Sequence, residues 1–152
     1  MKKLGSLTRF FSCFVMSLLI IVSASIPAYA GGKLPPITDF HVTGNSSYMN
    51  GNCTAPSGLE KDPQKVYVYG WYVYWSTSEK GKYDLFTYND GKFSLTAGQG
   101  MGFGASGYYP SGTYYFKLNL IQYEKILNER TQQYVYKKTG TSYSNISSVT
   151  VP

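Results

Sequence analysis

Cysteine and histidine are almost missing from this sequence, whose whole complement is Cys13, Cys53 and His41. Cys13 falls in an N-terminal leader, so the rest of the chain forms no internal disulfide. It must stand on its core, with Cys53 as a small buried hydrophobe, or pair between chains. A single histidine cannot supply the ligand spacings of a zinc site. A Cys53–His41 nucleophile pair on adjacent strands would lack a third group to orient the base. Carboxylates are also few, 8 in all. Glu79, Asp84, Asp90, Glu124 and Glu129 are scattered through turns and hairpin ends, with no pair related as general acid–base work requires. "YDLFTYND" (Tyr83 to Asp90) lacks the ligand spacing of a calcium loop. The glycine-rich "GQGMGFGASG" (Gly98 to Gly107) precedes no helix and has no lysine where a phosphate cradle needs one. These absences lead us to expect a non-enzymatic chain without metal or cofactor.

Strong charge of one sign is lacking as well. The formal charge is +6, but Lys2, Lys3 and Arg9 of the leader supply half of it. The remaining lysines are dispersed and leave no electrostatic footprint for nucleic acid.

The leader itself is clear. A positive start is followed by the apolar "FFSCFVMSLLIIVSASIPAYA", ending in Ala28-Tyr29-Ala30, the small-x-small pattern of signal peptidase. Residues 1–30 are expected to be a signal peptide cleaved after Ala30. The apolar run approaches membrane-spanning length, yet Pro27 and the Ala-x-Ala site suit cleavage better than anchoring. Cys13 precedes the apolar run, which does not fit a lipid-modified N-terminus. Residues 31–152 then make one secreted, extracellular domain with no stable membrane span after processing.

What this domain has in abundance is aromatic β-sequence, with 16 tyrosines. Runs of strand character alternate with turn clusters and no amphipathic helix appears, the pattern of an all-β sandwich or barrel. "ITDFHVT" (Ile37 to Thr43) and "SSYMNGNCT" (Ser46 to Thr54) come first. The uncharged "VYVYGWYVYW" (Val66 to Trp75) follows and ends at "SEKGK". "YDLFTY" leads to "NDG" (Asn89 to Gly91), a tight-turn signal, and then to "KFSLTA". The glycine-rich stretch reads as an irregular loop or bulged edge strand. "TYYFKLNLIQYEKI" is the longest strand candidate; after the turn "LNER", "QYVYKK" pairs back on its end, and "NISSVTV" closes the chain. Alternation puts Tyr114, Phe116, Leu118 and Leu120 on one face of the long strand, with Tyr115, Lys117 and Asn119 on the other, wet face. Val149 and Val151 face inward, Ser148 and Thr150 outward.

The order of these motifs resembles a fibronectin type III domain over nearly all of Leu34 to Val151. "LPPITDFHVTG" is similar to the family's proline-led first strand and "CTAPSG" to the end of its second. "GWYVYWSTSEKGKY" resembles its third, "PSGTYYFKLNL" its sixth, and "TSYSNISSVTV" its last, which often begins Ser-Asn. The resemblance implies a seven-stranded antiparallel two-sheet sandwich. It gives Tyr114 the corner-tyrosine position, with its hydroxyl on upstream backbone and its ring between the sheets. It assigns Trp71, Val73 and Trp75 to the core. The sequence departs from the family at Cys53, where a core tryptophan is usual, and at Tyr108, where leucine is. It also departs in the long "QYEKILNERTQQYVYKK" hairpin.

In that arrangement the third and sixth strands are neighbours. Tyr72 and Tyr74 then face out beside Tyr115, Lys117 and Asn119, as a candidate binding surface for an extracellular protein or glycan. Cross-strand tyrosine pairs that only stabilise the sheet explain the same residues. Self-assembly into a surface layer or matrix is the alternative role, because an uncharged aromatic strand is prone to associate. Lys65, Glu79 and Lys80 flank that strand as gatekeepers and favour a monomer.

Overall fold

A computed structural model of the chain describes residues 32–59 and 62–152. The leader and its cleavage site at Ala30 lie outside the described residues. The described chain is all-β, in nine strands: β1 (Gly32–Lys33), β2 (His41–Gly44), β3 (Tyr48–Thr54), β4 (Tyr67–Ser76), β5 (Asp84–Phe93), β6 (Gly100–Ser106), β7 (Gly112–Asn128), β8 (Gln133–Tyr143) and β9 (Ser147–Val151). They form two packed sheets. One has the order β1-β8-β7-β4-β5, with β9 also on β7; the other has the order β2-β3-β6.

The count exceeds the seven expected, and each extra strand has a local cause. Ser144 to Ile146 break the last strand in two, so that β8 and β9 pair with successive halves of β7. At this break the Leu118 amide donates to Ser144 Oγ at 2.7 Å. Asn145 clamps Phe40, accepting from its amide at 3.0 Å and donating to its carbonyl at 2.9 Å. The Ser-Asn pair thus stitches the large sheet to the entry of β2. At the other end, β1 runs parallel to β8, against the expectation of a wholly antiparallel fold. Pro35 and Pro36 have no N–H to continue that ladder, and it resumes only at Ile37, whose amide donates to the Tyr143 carbonyl at 3.1 Å. The expected first strand, Ile37 to Thr43, is therefore divided: Ile37 bridges to the large sheet, while β2 begins at His41 in the small one.

The "NDG" turn is corrected too. Asn89 Oδ1 accepts from the Gly91 amide at 3.0 Å and Lys92 has φ +54°. This is local turn chemistry, yet the chain does not reverse. β5 stays on β4 throughout, pairing Trp71 with Asn89 and Tyr69 with Phe93. Asp90, Gly91 and Lys92 therefore form a bulge, because tertiary pairing with β4 overrides the turn. The glycine-rich stretch resolves as the regular edge strand β6. Its inward Phe103 lies opposite Gly51, where a Cβ would come within 2.2 Å of the Phe103 ring. The glycine makes room for the aromatic.

The core lies between the sheets. Tyr114, Phe116, Leu118 and Leu120 are buried as alternation requires. So are Trp71 and Val73, with the half-buried Trp75 packed against them. Phe86 meets Phe116 edge-on at 5.3 Å and Phe103 at 5.6 Å, tying β5, β6 and β7 into one aromatic cluster. Trp75 stacks on Tyr114 at 5.5 Å, and the Tyr114 hydroxyl donates to the Pro110 carbonyl at 2.7 Å. Tyr108, expected in a leucine's place, is 84% exposed; its neighbour Tyr109 is the buried residue, at 7%. Tyr109 repeats the corner bond by donating to the Ala105 carbonyl at 3.2 Å.

One buried polar group was not foreseen. Gln122 sits at the inward end of the β7 alternation, 3% exposed. Its amide donates to Leu59 O and Tyr69 Oη and accepts from Thr139 Oγ1, so the side chain is satisfied where the core ends.

Candidate binding face

The outward side of the large sheet is built on β4 and β7, which pair antiparallel over ten residues. Residues directly opposite share a face. Tyr72 lies across from Asn119, Tyr74 from Lys117, and Ser76 from Tyr115. All five expected site residues therefore come together, and all five are half-buried. They are neither core nor free.

Neighbouring strands add residues that sequence reading did not assign. On β5, Tyr88 stacks on Tyr72 with ring centres 5.7 Å apart and planes 11° from parallel. The Asp90 bulge brings its carboxylate into hydrogen bonds with the Tyr72 and Tyr123 hydroxyls. Lys92 pairs with Asp90 and lies 4.1 Å from the centre of the Tyr123 ring. Burial, together with the Tyr123 hydroxyl and Asp90, pushes the Tyr72 phenol up to about 12. Burial first, and then Asp90, raises Tyr123 as well. Tyr72 thus carries structural duties on this face.

Further along the face, Lys117 sits 4.0 Å from the Tyr83 ring centre and Lys125 sits 4.0 Å from that of Tyr134. Tyr143 is exposed opposite Asn119. The Asn119 Oδ1 atom is enclosed and makes no hydrogen bond. Tyr123 and Lys125 continue the two-residue period of Tyr115, Lys117 and Asn119, so they were legible from alternation. Asp90 and Lys92 were not, since a turn reading removes them from the sheet.

The other candidate groups are kept apart. His41 is exposed on β2, whereas Cys53 of β3 is buried and free. The two point to opposite sides of the small sheet. Burial, aided by Asp39, pushes the Cys53 thiol up to about 12, so it is no nucleophile at neutral pH. Asp39 is itself occupied: burial opposes its charge, but hydrogen bonds from Thr54 outweigh this and lower its pKa. No three-residue group suited to a metal occurs among the described residues. Two hollows, of about 190 and about 200 Å³, lie beside Leu59 and Leu95 and beside Pro35 and Asp39, away from the tyrosine face. Both are smaller than usual small-molecule sites. What the face offers chemically is area, hydroxyls and fixed cations. Compared with known families and curated proteins, the chain matches no family model and no curated sequence.

Proposed function

We propose that this chain is a secreted, non-catalytic domain of the fibronectin type III kind that binds an extracellular protein or glycan through the outward face of its larger sheet. The domain type is supported by the β2-β3-β6 sheet facing β8-β7-β4-β5 and by the Tyr114–Pro110 corner bond. The observation that carries the function is the registry of Tyr72, Tyr74, Tyr115, Lys117 and Asn119 on one half-buried surface. Stiff rings tipped with hydroxyls give contact area at low entropic cost. The test is capture of ligands from an array of glycans and extracellular proteins. Tyr74→Ser with Tyr115→Ser should abolish capture while the far-ultraviolet circular dichroism stays native. Unchanged capture by the folded variant would sink the reading.

A second reading, assembly into a surface layer, is favoured by the end of the β7–β8 hairpin, where Leu127, Tyr134, Val135 and Tyr136 are exposed. Sedimentation velocity separates the two: a monomer at high concentration argues against assembly.

A further inference from the structure

We infer that the face takes an acidic polysaccharide, a chain of sugar rings bearing carboxylates, laid along β7; this rests on the binding-face reading above. The outward residues of β7 repeat a doublet, Tyr115 with Lys117 and Tyr123 with Lys125. At about 3.3 Å per strand residue, the two lysines stand roughly 26 Å apart on one line. An occupant touching both must be extended.

Each lysine is held in place by a tyrosine ring from a neighbouring segment, Lys117 by Tyr83 and Lys125 by Tyr134. A ring steadies an ammonium without neutralising it. Among the described residues no carboxylate pairs with either lysine. Asp90 is engaged by Lys92, Glu124 by Lys65 and Asp84 by Lys82. Lys138, opposite Tyr123, adds a further cation, while Glu79 flanks Tyr83 from the loop. Cations outnumber carboxylates on this face although the chain beyond the leader is only weakly basic. The complementary ligand is a polyanion.

The geometry of the sheet favours a sugar polymer over an acidic peptide, because β4 and β7 are central strands whose backbone groups are used by their neighbours. A peptide therefore cannot add here by main-chain pairing. Tyr74, on which no ring stacks among the described residues, and the exposed Tyr143 supply surfaces for sugar C–H faces.

The experiment is affinity electrophoresis of the purified secreted protein in gels containing polygalacturonate, hyaluronate, neutral dextran or poly-glutamate. The expected result is retention by an acidic polysaccharide, weakened by about 0.5 M salt. Lys117→Gln with Lys125→Gln should weaken it about tenfold or more, with dextran and poly-glutamate giving little retention. Equal retention by dextran, insensitive to the lysine changes, overturns the anionic ligand but leaves the binding face standing. Equal retention by poly-glutamate overturns the sugar. Failure of both acidic polysaccharides to retard the protein overturns the inference altogether. If retention instead survives Tyr74→Ser with Tyr115→Ser, the face itself is wrong.

Discussion

Tyr72→Phe should cost about 1–2 kcal/mol of folding free energy, although it removes one oxygen from a half-buried side chain. The hydroxyl is shared with the Asp90 carboxylate and the Tyr123 hydroxyl. A neutral hydrogen bond contributes about 0.5–1.5 kcal/mol and one to a charged group about 1.5–3 kcal/mol. Water can reach the vacated partners, which selects the lower part of that range. The ring, and with it the stack on Tyr88, survives in phenylalanine. Tyr72→Ser loses that stack too, a further ~0.5–1.5 kcal/mol. Urea unfolding followed by the fluorescence of Trp71 and Trp75 measures both variants at unchanged m-value.

A cycle with Asp90→Asn isolates the coupling, expected at about 1 kcal/mol. The pH dependence carries an independent sign. The phenol keeps its proton to about 12 in the folded state, against 10.0 ordinarily. Between these values the unfolded chain is deprotonated and the folded chain is not. This contribution is thus fully present below pH 10 and declines as pH rises towards 12. Tyr72→Phe should flatten that decline. A coupling within about 0.3 kcal/mol of zero, with the alkaline slope unchanged, would refute the network and leave Tyr72 held only by its stack on Tyr88.

Gln122→Leu should destabilise by about 1–3 kcal/mol, because it leaves the buried Leu59 carbonyl without its donor, while the half-buried Thr139 hydroxyl keeps the Gln122 backbone carbonyl; a change under ~0.5 kcal/mol in the same urea assay would contradict it. Cys53, buried with its thiol pushed up to about 12, should resist a disulfide reagent at pH 8 in the native protein and react on unfolding; prompt native labelling would show the thiol to be accessible.

Much of the fold was legible because strands alternate. Tyr114, Phe116, Leu118 and Leu120 had to share a face, and the lysine and asparagine between them told which face was wet. The corner at Tyr114 was implied by the resemblance of "PSGTYYFKLNL", with its proline four residues upstream, to the sixth strand of a fibronectin type III domain. Where local chemistry and tertiary pairing disagreed, reading failed. Asn89-Asp90-Gly91 has every feature of a tight turn, but the ladder to β4 holds the strand straight and expels the surplus as a bulge. Tyr108 and Tyr109 are chemically alike, so only the approach to the corner decides that Tyr109 goes in. Gln122 looked like one more polar residue, since its partners Leu59, Tyr69 and Thr139 are distant in sequence.

The candidate site divides the same way. Side-chain order along one strand determined that Tyr72 and Tyr74 share a side, and likewise Tyr115, Lys117 and Asn119, since backbone pleating needs no partner to set it. Which strands lie beside each other, and in what register, is a matter of long-range pairing. That pairing put Asn119 against Tyr72, brought Asp90 and Lys92 to Tyr123, and set lysines over rings from other segments. The sequence by itself thus determined the faces. Only the tertiary structure decided which groups meet on them, because cross-strand contact depends on closing loops whose ends carry no local record of one another.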